Sequence, residues 1–295
     1  MSSSAGTGVS HIKNTFLLLL IFVFAAKAWS SDMSAEIQKR REFAEPLVRE
    51  AGALAAEYFK KREQLTIEAK GPQNFVSEAD RNVEQLIYQR IKETFPEDSV
   101  LGEETGMHDG AEGKLTWVID PIDGTGNFVK GIPLYCVLLA LVKDGQPVLG
   151  FTYDPERDEM YVAVKGHGAT LNGAPLKHIS ESQQLPTNES TIIVGTCKRH
   201  SSIPACMDQR INLLATGCEY RRIGCAGLSL AWLAAGRIQG YQEYFLNSWD
   251  VMPGFLLNRE VGNSMLPIPD SYLRNGGEVL VATPDLFNVL KKIFP

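Results

Sequence analysis

Asp120-Pro121-Ile122-Asp123-Gly124-Thr125-Gly126-Asn127-Phe128 closes a run of strand-forming residues, LTWVID at 115–120. Such β-branched and aromatic residues suit a pleated, buried surface, so the run predicts a strand ending where Pro and Gly enter. Two carboxylates three residues apart at a strand end can point into one pocket. They are hard oxygen ligands, which suit Mg²⁺ because it takes few carboxylates and keeps water and substrate phosphate in its shell. Gly124, Thr125 and Gly126 can expose successive backbone N–H groups, a nest for a phosphate. Turn chemistry alone also explains the string, since Asp, Pro and Gly are what turns use. The local string leaves both readings open.

Working outward, Phe43, Leu47, Val48, Ala51, Leu54, Ala55 and Tyr58 recur at helical spacing and predict a helix from about Ser34. Pro46 within it predicts a kink or the ordered start. Ser77-Glu78-Ala79-Asp80 resembles a capping box, opening a second helix with Val83, Leu86, Ile87 and Ile91 inward. Residues 135–142, 148–153 and 159–164 read as further strands, with turns at Asp144-Gly145 and at the DPERD run from Asp154. This meander predicts an antiparallel sheet. The polar stretch after Ser180 reads as a linker. Beyond it, short strands at 191–194, 240–244 and 279–282 alternate with helices. One helix covers 226–235 and stops at Gly236; another starts near Asp250 with Pro253 in its first turn. Such alternation favours an α/β arrangement.

The chain has 295 residues, 44% hydrophobic and 22% charged, enough for one large domain or two lobes and ordinary for a globular protein. Its net charge of −6 argues against nucleic acid as the main ligand. Cys136, Cys197, Cys206, Cys218 and Cys225 are scattered, odd in number and without a CxxC pair. Buried free thiols are therefore expected, rather than a zinc site or a disulfide framework. His108, His167, His178 and His200 have no metal or triad spacing. Neither a Gly-x-Ser-x-Gly elbow nor a Walker loop is present.

Residues 16–26, FLLLLIFVFAA, follow His11 and Lys13 and precede Ala26-Lys27-Ala28, the A-x-A form of a signal-peptidase site. The run is short for a stable membrane anchor. Residues 1–32 are thus a cleavable signal ending near Ala28 or an extension upstream of a true start at Met33. The unpaired cysteines favour the cytoplasm; cleavage after Ala28 would instead place the protein outside it.

DPIDGTGNF matches the signature D-P-x-D-[GS]-[ST]-x-N-F of the inositol monophosphatase family. Gly102-Glu103-Glu104 resembles that family's GEE motif, and Trp249-Asp250 with Pro253-Gly254 resembles its WD-x-x-x-G motif. The order and spacing are similar from about Met33 to the C-terminus. The resemblance implies an α/β (α+β) layered sandwich of alternating helices and sheets, with a metal site between two lobes. The lobes would be 33–180, an N-terminal α+β lobe, and 181–295, a C-terminal α/β lobe. It further implies a homodimer, inhibition by Li⁺, and two to three Mg²⁺ ions. Glu103, Asp120 and the Ile122 carbonyl would hold the first ion. Asp120, Asp123 and Asp250 would hold the second, and a third, weaker ion would sit near Glu103. Glu103, Thr125 and Asp80 would be catalytic, Thr125 orienting the attacking water and Asp80 accepting from the Thr125 hydroxyl. As residue types alone, Asp80 and Asp250 read equally as helix-capping acids.

The phosphorylated alcohol would meet Glu103, Ile122, Asp123, Gly124, Thr125 and Asp250 through its phosphate. Its hydroxyl half would meet Gly224, Cys225, Ala226 and Glu243. Cys225 departs from the commoner Gly-Thr-Ala, replacing a good donor with a weak thiol, which leaves fine substrate recognition open. Glu260-Val261-Gly262-Asn263 departs from E-A-G-G, a packing change that keeps the acid. The implied activity is Mg²⁺-dependent hydrolysis of a small polyol phosphate, myo-inositol monophosphate first. Fructose 1,6-bisphosphate, a 3′-phosphonucleotide or histidinol phosphate are the alternatives, and a regulatory protein retaining the fold is the reading from another class.

Overall fold

The computed structural model describes residues 35–65, 67–71, 74–110, 115–181, 185–196 and 203–295, with 67–71 and 74–76 described through the backbone alone. The apolar leader, Met33, Cys197 and His200 lie outside the described residues. Contacts divide the chain into Met1–Glu42 and Phe43–Pro295. Of the first unit, only the opening turns of helix α1 (Ala35–Lys60) are described.

Within the second unit, α1 buries Ala44, Leu47, Val48, Ala51, Ala55 and Phe59, a stripe set slightly off the predicted one, so Phe43, Leu54 and Tyr58 are half-buried. Pro46 is not the helix start; it lies on the exposed face, where water can satisfy the carbonyl it leaves unpaired. The hairpin β1 (Ile67–Gly71) and β2 (Asn74–Ser77) follows, and Ser77 caps α2 (Glu78–Thr94). Next come β3 (Ser99–Gly102), β4 (Gly106–His108), β5 (Leu115–Asp123) and the single turn α3 (Thr125–Phe128). The meander is β6 (Cys136–Lys143), β7 (Gln146–Asp154), β8 (Glu159–Val164), β9 (Ala169–Leu171) and β10 (Ala174–Pro175). The remainder is β11 (Thr191–Val194), α4 (Ile203–Ala215), β12 (Glu219–Arg221), α5 (Ala226–Ala234), β13 (Gly240–Leu246), α6 (Ser248–Glu260), β14 (Ser264–Met265), α7 (Tyr272–Asn275), β15 (Gly277–Ala282) and α8 (Pro284–Ile293).

Among the described residues, the larger sheet has the order β10-β9-β8-β7-β6-β5-β3-β4. The meander β5-β6-β7-β8 is antiparallel, as predicted. One pair beside it is parallel: β4 folds back along β3, so the chain enters β5 parallel to β3. The smaller sheet, β12-β11-β13-β15-β14, is mixed. On one face of the larger sheet, Phe59 of α1 lies 4.9 Å from the Tyr135 ring and Phe43 lies 6.2 Å from that of Trp117. On the other, Val118 and Ala140 share a core with Leu230 of α5, Phe255 of α6, and Tyr241 and Val281 of the smaller sheet. The far face of that sheet, Ile192 and Leu280, packs on Leu213 of α4 and Leu290 of α8. Helix and sheet layers therefore alternate in an α/β sandwich. Because the central strands are covered on both faces, they read as continuous apolar runs.

Two smaller expectations change. Helix α6 starts at Ser248, which places Pro253 in its second turn; there its backbone packs closely against Gly150. Cys136, Cys218 and Cys225 are free and buried, but Cys206 is disulfide-bonded, against the expectation of a free thiol. No helix among the described residues is long and apolar enough to cross a membrane.

Candidate active site

In a regular strand, residues three apart face opposite sides. Here Asp120 pairs with Leu138 and Asp123 with Cys136, three steps on β5 against two on β6. The extra residue is a bulge, and it returns Asp123 to the side of Asp120. Pro121, which lacks an N–H, falls where the ladder is already broken. Gly124 then turns with φ 92°, and a Cβ there would lie 2.7 Å from Leu134 O, so a side chain is excluded. Asp250 arrives from the first turn of α6, where its Oδ2 accepts the Asn247 N–H at 2.7 Å. Capping does not exclude ligation, since a carboxylate has about four acceptor sites. Carboxylate oxygens of Asp120, Asp123 and Asp250 all lie within 4.8 Å of one another.

Parallel pairing sets Gly102 opposite Ile119, and the Glu103 N–H donates to Ile119 O at 3.2 Å. Glu103 thus leaves β3 level with Asp120, and their carboxyl groups interact. Asp80 performs its capping role, its Oδ2 accepting from Ser77 N at 2.8 Å and Ser77 Oγ at 2.7 Å. Its Oδ1 lies 3.4 Å from the Thr125 hydroxyl, which has a nearer acceptor in Ile122 O at 3.0 Å.

Four carboxyl groups, those of Asp120 and Asp123 buried and those of Glu103 and Asp250 half-buried, oppose each other's ionisation. Burial raises the pKa of Glu103 well above the usual range, and the charges of Asp250, Glu104 and Asp80 add to it. Burial does the same at Asp120, helped by Glu103, Asp123 and Asp250. Asp123 is pushed up to about 6 by burial, against hydrogen bonds from Cys225, Gly227 and Cys136. Burial likewise raises Asp80, against its bonds from Ser77. A cation among these oxygens would reverse that repulsion. Two oxygens on one Mg²⁺ at about 2.1 Å stand about 3.0 Å apart when adjacent and about 4.2 Å when opposite, separations that fall within the 4.8 Å limit holding the aspartate trio. The donor set is all oxygen and fits a hard ion. No histidine joins it among the described residues.

Asp123 Oδ2 also accepts from Gly227 N at 2.5 Å and from Cys225 Sγ at 3.0 Å, which ties the acidic cluster to the start of α5. Asn127 Nδ2 donates to both Leu134 O and Ile223 O at 2.8 Å, fixing the segment before Gly224. A cavity of about 160 Å³ opens beside the cluster, lined by Asp123, Gly224, Cys225, Ala226, Arg222 and Glu243. Glu243 is buried and takes the Thr196 N–H at 2.8 Å; it also lies where a Gly195 side chain would project.

The sequence pattern of the inositol monophosphatase family matches residues 36–291. The chain belongs to the inositol monophosphatase family. It is 33% identical to the Nus factor SuhB of Pasteurella multocida, covering 84% of this chain and 92% of that one. With the inositol-1-monophosphatase of Mesorhizobium japonicum it shares 35% identity, over 72% of this chain and 79% of that one. The crystal structure of the extragenic suppressor protein suhB from Bartonella henselae superposes with a TM-score of 0.80 at 28% identity, covering 86% of this chain and 98% of that one.

Within this inositol monophosphatase fold, three residues near the site escape sequence reading. Glu84, on α2, is buried and takes the N–H groups of Glu104 and Thr105, each at 2.9 Å. It also fills the space a side chain at Gly102 would need. Its place on the inner helix face, among apolar positions, was the available signal. Cys136 meets Cys225 at 3.7 Å across 89 residues, and Arg222 lines the cavity; no local pattern announces either. Glu260 accepts from Gly166 and Gly168 N–H at 2.9 and 2.8 Å, so this acid anchors a turn away from the cluster.

Proposed function

We propose that this protein is a Mg²⁺-dependent phosphatase that hydrolyses a phosphate monoester of a small polyol, myo-inositol monophosphate foremost. The observation that carries the reading is the convergence of Asp120, Asp123 and Asp250 beside a cavity lined by Glu243. Glu103, Asp120 and the Ile122 carbonyl would hold one Mg²⁺; Asp120, Asp123 and Asp250 would hold a second, with a weaker third near Glu103. Bound Mg²⁺ supplies Lewis acidity for the phosphoryl and leaving oxygens and lowers the pKa of a coordinated water.

The protein's own groups do the rest. The Thr125 hydroxyl, between Ile122 O and Asp80, positions the attacking water together with Glu103. The amides of the Gly124–Gly126 turn face the phosphate, as such turns do for anions. Glu243 accepts hydroxyl hydrogens of the polyol, and Gly224, Cys225 and Ala226 form the adjoining wall. Phosphate release from inositol monophosphate, fructose 1,6-bisphosphate, a 3′-phosphonucleotide and histidinol phosphate, with and without Mg²⁺, tests this. Inositol monophosphate should lead and every activity should need Mg²⁺. Hydrolysis of another member alone would keep the chemistry and move the substrate.

The Nus factor name of the Pasteurella relative supports a second, regulatory role in parallel. Complementation by an Asp120→Asn variant in cells lacking the protein separates the two: rescue without catalysis favours regulation.

A further inference from the structure

Strand β6 supplies Cys136 and the N-terminus of α5 supplies Cys225, and their Sγ atoms stand 3.7 Å apart. Both face Asp123 Oδ2, Cys136 at 3.8 Å and Cys225 at 3.0 Å. All three residues are buried. We propose that Asp123, Cys136 and Cys225 form a three-ligand site for a thiophilic divalent cation such as Zn²⁺ or Cd²⁺.

The edge lengths carry the proposal. Around a tetrahedral centre with sulfur at ~2.3 Å and oxygen at ~2.1 Å, two sulfurs stand about 3.8 Å apart and a sulfur and an oxygen about 3.6 Å. The observed edges of 3.7, 3.8 and 3.0 Å match except at Cys225–Asp123, which is short because the thiol hydrogen-bonds the carboxylate. That bond disappears when sulfur binds metal, so the edge that must open is the one free to open. Each thiol releases its proton to solvent as its S–metal bond forms, and nothing is oxidised or reduced. Two soft sulfurs select against Mg²⁺, which separates this site from the all-oxygen cluster beside it. Asp123 and Cys225 line the 160 Å³ cavity, which gives the ion an entry and leaves a fourth position for water. Asp123 is common to both sites. On the phosphatase reading above, a soft ion would therefore withdraw a carboxylate that hydrolysis needs.

The test titrates the chelator-treated, desalted full chain with Cd²⁺ and follows cadmium–thiolate charge-transfer absorption. One equivalent should give a two-thiolate band that Zn²⁺ removes and excess Mg²⁺ does not. Cys136→Ser and Cys225→Ser should each halve the band and weaken Cd²⁺ binding by at least about 100-fold, beyond the loss of an outer-shell partner. Cys218→Ser should change neither. Alkylation mapping of the wild type guards against misfolded variants: one equivalent of Cd²⁺ should protect Cys136 and Cys225 together. No band at one equivalent, a band unchanged in both variants, or protection missing at these two cysteines would overturn the site. Binding is read without turnover, so the site stands or falls independently of the phosphatase reading.

Discussion

Glu84 accepts the Glu104 N–H at 2.9 Å, so a helix residue outside the acidic cluster holds the turn that carries Glu103. Glu84→Ala leaves that amide and the Thr105 amide, which stand in a partly exposed turn, without their protein acceptor, and each lost hydrogen bond costs about 0.5–1.5 kcal/mol. The Mg²⁺ concentration for half-maximal activity should rise by about 10–100-fold, as for other outer-shell partners, with substrate KM little changed. Glu84→Gln, keeping one acceptor, should fall between. An unchanged Mg²⁺ requirement in Glu84→Ala would mean the turn holds its shape unaided.

Asp120 occupies both proposed ion sites, so Asp120→Asn should abolish phosphate release at ordinary Mg²⁺. Near-normal turnover would remove the metal assignment. Li⁺ should inhibit the wild type if it takes a metal position after hydrolysis; a Li⁺ titration against turnover checks it.

Asp123 gives a pH signature in the metal-free protein. Its folded-state pKa, pushed up to about 6, lies above its unfolded value, so the fold favours the protonated form. The stability this contributes is present below the unfolded pKa and is lost as pH rises through about 6. In chelator, Asp123→Asn should therefore gain stability relative to wild type between pH 4 and pH 7, in denaturant titrations. Saturating Mg²⁺ should shrink that gain, because the cation restores a use for the charge. A pH-independent difference would show that Asp123 ionises without penalty.

Glu243→Ala should lower kcat/KM for inositol monophosphate by about one to two powers of ten, since a charge-assisted hydrogen bond contributes roughly 1.5–3 kcal/mol. The Mg²⁺ dependence should stay as in the wild type, because Glu243 belongs to the cavity wall. A shifted Mg²⁺ requirement with intact kcat/KM would place Glu243 with the metal ligands instead.

Cys225→Thr should leave hydrolysis of inositol monophosphate intact or improve it. The threonine hydroxyl can still donate to Asp123, more strongly than a thiol does. A large loss of kcat would mean that the wall beside Asp123 is fitted to sulfur.

Much of this molecule was legible in one dimension because the signals were local. Apolar runs marked β5, β6 and β7, Ser77 with Asp80 marked the start of α2, and DPIDGTGNF carried the family. Each of these depends on residues a few positions apart, where periodicity and turn chemistry act directly. The parallel β3–β5 register that levels Glu103 with Asp120 was not legible, nor was the bulge that turns Asp123 to face it. The same holds for Glu84 beneath its turn and for Cys136 against Cys225, 89 residues apart. Those relationships arise from which strand enters beside which, and from which helix closes over a sheet end. The sequence by itself settled the kinds of side chain available for the chemistry. Only the packed layers decided which of them stand within a hydrogen bond of one another, because such proximity is a property of long-range pairing and no short window of residues contains it.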